Sequence, residues 1–461
     1  MSIISGINND GSRVARILAP ERDKNTQQIR IRVNNTNIST NIKKILGEEP
    51  VKPQITPNSF DHVPEWINKI TTFFYKTIAN PVASDKPYIN VHSVVIRRNG
   101  KEVVNVNWKG VDEKYSSEPG TACEKTTYKN GSPHRFNSAT KSVIGLLVLK
   151  LLSEKPNIDG QDITKETAIL DVLGLTDEQK KKYFKNEKQR ADWNKVTIEH
   201  CLNMTAGFKW NETGSYSTAN SNTSTDKTTK NDASECYLVD DLFKHIFTKE
   251  IINEPGEKFN YSGGCAMLLG EIIEKISDKS VEEYAQEALF TPLGIEAKNV
   301  VWRKTKENFT GCSGGLSMIP SDMAKIGQLL LNKGKWQNPE TKEEIQIIPE
   351  QCVDMIIPIN PETKKVAPKV TTNQWNYAEY GCQWWTQKIK LEDGSELLAY
   401  VAQGYGGQNL FVIPKENLVA VINTGNYSAT DKPTNQTPKR LLINEILPGL
   451  GIKTETFGET Y

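Results

Sequence analysis

Strand-like patterning occurs in two places far apart in the chain, and the residues between them read mainly as helix. The first place is a hairpin. Ser93-Val94-Val95-Ile96 and Val103-Val104-Asn105-Val106 flank Asn99-Gly100, the dipeptide best suited to a two-residue turn with two positive φ angles. The second is the succession Glu396 to Ala402, Asn409 to Ile413 and Leu418 to Ile422. In between, apolar residues recur at helical spacing over Ser138 to Leu152, Ala266 to Ile276, Val281 to Leu289 and Ser321 to Leu331. The chain closes on a further helical stretch, Pro438 to Ile446. Strands near both ends with a helical middle predict one sheet built from both ends and an inserted helical lobe at about 150–390. That is an α+β architecture rather than alternating βαβ units.

Ahead of the hairpin the pattern is weaker. Residues 1–60 are polar, with one alternating patch, Ile29-Arg30-Ile31-Arg32-Val33, which is either an edge strand or no element at all. Pro50 to Pro64 reads as a linker. A short helix is expected from about Pro64 to Ala79, where Trp66, Ile67, Ile70 and Phe73-Phe74 share a face. The Ser/Thr/Asn/Lys-rich stretch Thr213 to Lys230 reads as an exposed loop. This divides the chain into a polar extension and linker, 1–60, and a main domain, 61–461.

Charge and cysteine content narrow the function classes. Lys and Arg number 57 against 56 Asp and Glu, a net charge of +1, which lacks the footprint of a nucleic-acid or anionic-membrane binder. Seven scattered cysteines, with no Cys-x-x-Cys, give neither a zinc site nor a disulfide scaffold. The most apolar stretch, Val143 to Leu149, is bounded by Lys141 and Lys150 and is far shorter than the roughly 18 residues of a membrane span. No apolar h-region occurs in the first thirty residues, so a cytoplasmic location is expected.

Chemistry concentrates where Phe136-Asn137-Ser138-Ala139-Thr140-Lys141-Ser142 runs into the apolar helix. Residues three apart share a helix face, so Lys141 can reach the Ser138 hydroxyl. Ser138 would sit at the helix N-terminus, where free N–H groups favour developing negative charge. A serine alcohol needs a base, and a lysine desolvated against apolar neighbours can lose its own proton and serve as one. The structural alternative is an N-capping serine followed by a surface lysine. The same spacing recurs at Ser224-Thr225-Asp226-Lys227, in the polar loop with no helix behind it.

Further segments accompany it in order. They are Leu202-Asn203-Met204-Thr205-Ala206-Gly207-Phe208-Lys209-Trp210, Pro255-Gly256-Glu257-Lys258-Phe259-Asn260-Tyr261-Ser262-Gly263, Gly314-Gly315-Leu316-Ser317-Met318, Tyr380-Gly381-Cys382-Gln383-Trp384-Trp385 and Gly404-Tyr405-Gly406-Gly407-Gln408. Together they resemble the serine β-lactamase-related family over about residues 90 to 446, especially its class C-like esterases, its penicillin-binding-protein-like members and 6-aminohexanoate-dimer-hydrolase-type amidases. The resemblance implies a β-lactamase/DD-peptidase-like fold, an antiparallel sheet flanked by helices, with the site in a cleft beside the helical lobe.

Position by position, it implies Ser138 as nucleophile, Lys141 as its base and Tyr261 as proton shuttle. Gly263 stands where many relatives carry Asn. Gly404 replaces the basic first residue of the Lys-Thr-Gly strand, which argues against penicillins and D-Ala-D-Ala peptides and for a small ester or amide. The oxyanion hole would be the N–H groups of Ser138 and Gly407, each worth on the order of 3 kcal/mol in the transition state. Gly406 and Gly407 have a structural alternative, a bulge or close backbone approach. Trp384 and Trp385 wall the acyl pocket or sit in the core, and Tyr405 is a candidate cleft residue. The five histidines fall outside every motif, and no Gly-x-Ser-x-Gly elbow frames a serine. No metal and no cofactor is expected. The implied activity is acyl-enzyme hydrolysis of an ester or amide. Acyl transfer, or a non-hydrolytic penicillin-binding-like sensor or scaffold, are the alternatives.

Overall fold

The computed structural model describes residues 2–7, 13–18, 28–32, 91–107, 110–114, 124–128, 132–212, 231–338, 341–357, 370–372, 377–425, 427 and 436–458. Its spine is an 11-stranded sheet. The strands are β1 Ser2–Ile7, β2 Arg13–Leu18, β3 Gln28–Arg32, β4 Val91–Arg98, β5 Lys101–Asn107, β6 Val370–Thr371, β7 Glu379–Gly381, β8 Trp384–Lys390, β9 Glu396–Gly404, β10 Gln408–Ile413 and β11 Leu418–Thr424. Their order is β1-β2-β3-β5-β4-β11-β10-β9-β8-β7-β6, every neighbouring pair antiparallel. The closing β11 pairs with β4, Val421 opposite Val95, so the two ends of the domain meet at mid-sheet. This is the α+β, both-ends sheet expected from the pattern.

Local chemistry explains the strongest elements. Asn99 (φ 51°) and Gly100 (φ 76°) both adopt positive φ, the backbone of a tight turn between β4 and β5 whose twist matches the strands it joins. Strands β10 and β11 are buried along their whole length, which is why they read as continuous rather than alternating apolar runs. Helix α1, Thr140–Ser153, is buried on nearly every face, as expected of a helix that is apolar all round. It packs between β8, β9 and a second helix, α2, Gly263–Ser277. Gly145 permits that closeness, since a Cβ there would lie 2.5 Å from the Cys382 carbonyl oxygen. A third helix, α3, Pro320–Leu331, covers β4, β10 and β11. The last, α4, Thr437–Leu441, lies against β11 and continues as a wider turn over Leu442–Ile446. The expected helix over Val281 to Leu289 is likewise an α-helix, Val281–Ala285, prolonged by a wider turn, Gln286–Phe290.

Two boundaries differ from expectation. The patch at Ile29 is neither edge nor absent: β3 pairs with β2 on one side and β5 on the other. The lobe expected over about 150–390 gives back its last part to the sheet, because β6, β7 and β8 all join it. Strands of two and three residues are too short to show an alternation, so the sequence signal there is absent. The expected helix from Pro64 to Ala79, the linker and the loop from Thr213 to Lys230 lie outside the described residues, as does the second Ser-x-x-Lys match. Among the described residues no helix is long and apolar enough to cross a membrane.

Candidate active site

Ser138 lies in a single 3-10 turn, Asn137–Ala139, that leads directly into α1. Neither that turn nor α1 has a side-chain cap, and Lys141 is buried. The reading of a capping serine with a surface lysine is thereby replaced. Asn137 takes φ 46°, an uncommon backbone for a residue with a side chain. Its Nδ2 donates to the Tyr405 carbonyl at 2.7 Å, tying the turn to the glycine-rich segment. From the other side, Phe136 N donates to Leu316 O at 2.9 Å and Leu316 N donates to Thr140 Oγ1 at 3.1 Å. The Gly314-to-Met318 phrase thus forms the floor beneath Ser138, with Ser317 and Met318 paired to Arg135 and His134.

Lys141 Nζ donates to three acceptors. They are Ser138 Oγ at 3.0 Å, Glu212 Oε1 at 2.9 Å and Ser313 O at 2.8 Å. Glu212 is as buried as the lysine, and its Oε2 accepts from Trp210 Nε1 at 3.0 Å and from Gly263 N. Burial pulls the lysine pKa down, but the Glu212 carboxylate outweighs it, with help from Tyr261, and the net shift is upward. This corrects the expectation that desolvation frees Lys141 of its proton: the apolar surroundings exist, but they enclose an anion as well. Sequence reasoning missed Glu212. It stands two residues beyond the quoted Trp210 phrase, and a carboxylate so close to an apolar motif was the available signal.

Tyr261 sits one residue before the N-cap of α2, Ser262, whose side chain accepts from Cys265 N. It is buried, and its hydroxyl lies within hydrogen-bonding reach of the Ser138 and Lys141 side chains. Burial raises its pKa, against the lowering effect of Lys141. Lys141 Nζ lies 4.8 Å from the ring centroid. The three expected groups, Ser138, Lys141 and Tyr261, are therefore together, with Ser138 the half-exposed member.

The two tryptophans separate. Trp384 is wholly buried and its indole N–H donates to Ser142 O at 3.1 Å, a core contact behind α1. Trp385 stacks on Tyr261 at 5.4 Å and on Tyr377 at 4.8 Å, and meets Tyr380 edge-on at 4.5 Å. That cluster backs the tyrosine. Lys439 of α4 places its Nζ 3.4 Å from the Tyr377 ring centroid, a cation–π contact, and burial lowers its pKa to about 7.

Gly404 ends β9 opposite Gln408, and a Cβ on it would overlap the Phe136 carbonyl oxygen. Glycine at this place is thus a steric requirement of the turn that carries Ser138. Gly406 and Gly407 have φ of 81° and 84°, and side chains there would overlap Tyr427 and Thr424. The structural alternative of a close backbone approach holds for both. Tyr405 does not swing free: its hydroxyl donates to the Tyr427 carbonyl. Among the described residues no cluster of three or more His, Cys, Asp or Glu is placed to hold a metal ion.

The chain is similar to known proteins in sequence and in fold. Over 210 residues, 45% of this chain, the sequence is 26% identical to Protein flp of Staphylococcus aureus (strain MRSA252), and the match spans 34% of that relative's length. The fold is similar to that of the octameric penicillin-binding protein homologue from Pyrococcus abyssi, with TM-score 0.52, 16% identity and coverage of 84% of this chain and 78% of that one. It is similar as well to the D-amino acid amidase from Ochrobactrum anthropi SV3, with TM-score 0.50, 16% identity and coverage of 84% and 98%. The sequence profile of the Beta-lactamase family matches residues 90–441, which take in Ser138, Lys141, Glu212, Tyr261 and the glycine turn. The chain belongs to the β-lactamase family.

Proposed function

We propose that this protein is a serine hydrolase that cleaves an ester or amide through an acyl-enzyme on Ser138. The observation that carries the proposal is the contact of Lys141 Nζ with Ser138 Oγ at 3.0 Å, with Tyr261 against both. Uncharged Lys141 takes the Ser138 proton as the serine oxygen bonds to the substrate carbonyl carbon. Tyr261 passes that proton to the leaving group as its bond to carbon breaks. Water, giving up a proton by the same route, then releases the acid and restores Ser138. The backbone N–H groups of Ser138 and Gly407 hold the oxyanion, worth about 3 kcal/mol each.

The substrate we favour is small and lacks an essential carboxylate, because Gly404 supplies no cation and the Phe136 carbonyl excludes any side chain at that place. The D-amino acid amidase whose fold is similar supports short amides as the first compounds to try. The test is turnover of p-nitrophenyl esters and short amides by the native chain and by Ser138→Ala. Loss of about a thousandfold or more in the variant is expected. Equal turnover by the two would refute the proposal.

A further inference from the structure

We propose that Glu212 is the positioning residue that holds Lys141 as an ammonium, and so decides the pH at which Ser138 becomes a nucleophile. This rests on the reading of Ser138 and Lys141 given above and adds to it a control on the base.

Lys141 and Glu212 form a buried ion pair, Nζ to Oε1 at 2.9 Å. An ammonium has three N–H donors and no lone pair, and Lys141 Nζ has three acceptors around it, at 3.0, 2.9 and 2.8 Å. A neutral amine could be served as well, with two N–H groups toward Glu212 Oε1 and Ser313 O and its lone pair accepting from the Ser138 hydroxyl. What favours the ammonium is the buried Glu212 carboxylate 2.9 Å from Nζ. Glu212 is held as firmly as the lysine. Oε1 accepts from Lys141, while Oε2 accepts from the Trp210 indole and the Gly263 backbone.

Among the described residues, the groups that act on Lys141 besides Glu212 are Tyr261, from the start of α2, and Tyr237, whose hydroxyl shares a hydrogen bond with Ser313 Oγ at 3.2 Å. Cys236, beside this group, is a thiol that burial pushes up. The space for Glu212 comes from Gly263. A Cβ at 263 would lie 3.0 Å from Glu212 Oε2 and 3.2 Å from the Ala233 and Ser313 side chains. A side chain at 263 and the Glu212 carboxylate therefore compete for one volume, and this chain gives it to the carboxylate.

The consequence is directional. Only the uncharged fraction of Lys141 can accept the Ser138 proton, and that fraction grows tenfold per pH unit below the lysine pKa. An anion in contact raises that pKa, so the reactive fraction at any given neutral pH is smaller with Glu212 than without it. Removing the charge while keeping the size of the side chain moves the rise of reactivity toward acid.

The experiment is the rate of Ser138 labelling by a fluorophosphonate, read by intact mass on the full chain from pH 6 to pH 10, for the native protein, Glu212→Gln and Glu212→Asp. The expected result is a rising limb displaced at least about one pH unit toward acid in Glu212→Gln, read as a labelling rate about tenfold or more higher than native at the same pH, with Glu212→Asp near the native profile. A Glu212→Gln rate equal to or below native at every pH would show a merely structural role and overturn the inference. Absence of labelling on the native chain at every pH would instead overturn the hydrolase reading beneath it. If Glu212→Gln does not fold, the Lys141 titration in the native chain decides, followed by NMR of 15N-lysine with Lys141→Arg as the assignment control. Loss of the proton above the ordinary lysine range upholds the inference, and loss within or below that range overturns it.

Discussion

The two sides of Ser138 are built from different materials. On the lobe side, Lys141, Glu212, Trp210, Ser313 O and the Gly263 N–H form a closed, buried network of charge-assisted hydrogen bonds. On the sheet side, the neighbours are the Gly404 to Gly407 turn and the rings of Trp385, Tyr377 and Tyr380, placed by sterics and stacking. The first side fixes where protons reside. The second fixes backbone position and the shape presented to an acyl group. Substitutions on the first side should therefore change charge states and rates together, while those on the second should change geometry.

The largest expected effect lies on the charged side. Lys141→Met removes the base and leaves the Glu212 carboxylate buried without its cation, a loss that typically costs about 3–5 kcal/mol. Ser138 labelling should fall by about a thousandfold or more, and urea denaturation should show the stability loss. The double variant Lys141→Met/Glu212→Gln should recover most of the stability and none of the labelling. A double variant no more stable than the single would break the comparison.

On the sheet side, Gly404→Ala must displace the Phe136 carbonyl, with an expected cost of about 1–3 kcal/mol. It should slow Ser138 labelling without moving its pH midpoint. A change in midpoint would mean that the two sides are not separable. The tryptophan pair sharpens the contrast further. Trp384→Phe loses its bond to Ser142 O, which costs about 1–3 kcal/mol of stability, and should leave labelling unchanged. Trp385→Phe loosens the stack behind Tyr261 and should lower labelling by about tenfold through misplacement.

The last effect, on stability alone, concerns Lys439. Its pKa in the folded chain is lowered by burial to about 7, below the ordinary value of 10.5. Between those two values the unfolded chain binds more protons at this residue than the folded one, so its contribution makes stability rise with pH over that window. In Lys439→Met this rise should disappear, with the gain over the native chain greatest below about pH 7. Denaturation midpoints at pH 6 and pH 9 measure it.

The pattern of what was legible follows the same division. Local signals carried the framework: Asn99-Gly100 announced its turn through two residues that tolerate positive φ, and the apolar run after Ser138 announced a buried helix. Ser138 and Lys141 were legible because residues three apart in a helical turn share a face. Tyr261 was legible through the resemblance of its surrounding phrase. Glu212 was missed: the carboxylate beside the Trp210 phrase was a local cue, but the partner that gives it meaning lies 71 residues away. Gly404 was noticed as a missing cation, but its steric cause is a contact with Phe136 that only the folded chain brings about. The same holds for the division between Trp384 and Trp385: adjacent strand residues point to opposite faces, and one sequence does not say which face meets the tyrosine.

The most direct test of the central claim is peptide-level mass spectrometry of the native chain after a fluorophosphonate, with Ser138→Ala beside it. The expected result is one adduct, on Ser138, lost in the variant while the fold is kept. An adduct elsewhere, or none on the folded native protein, would contradict it.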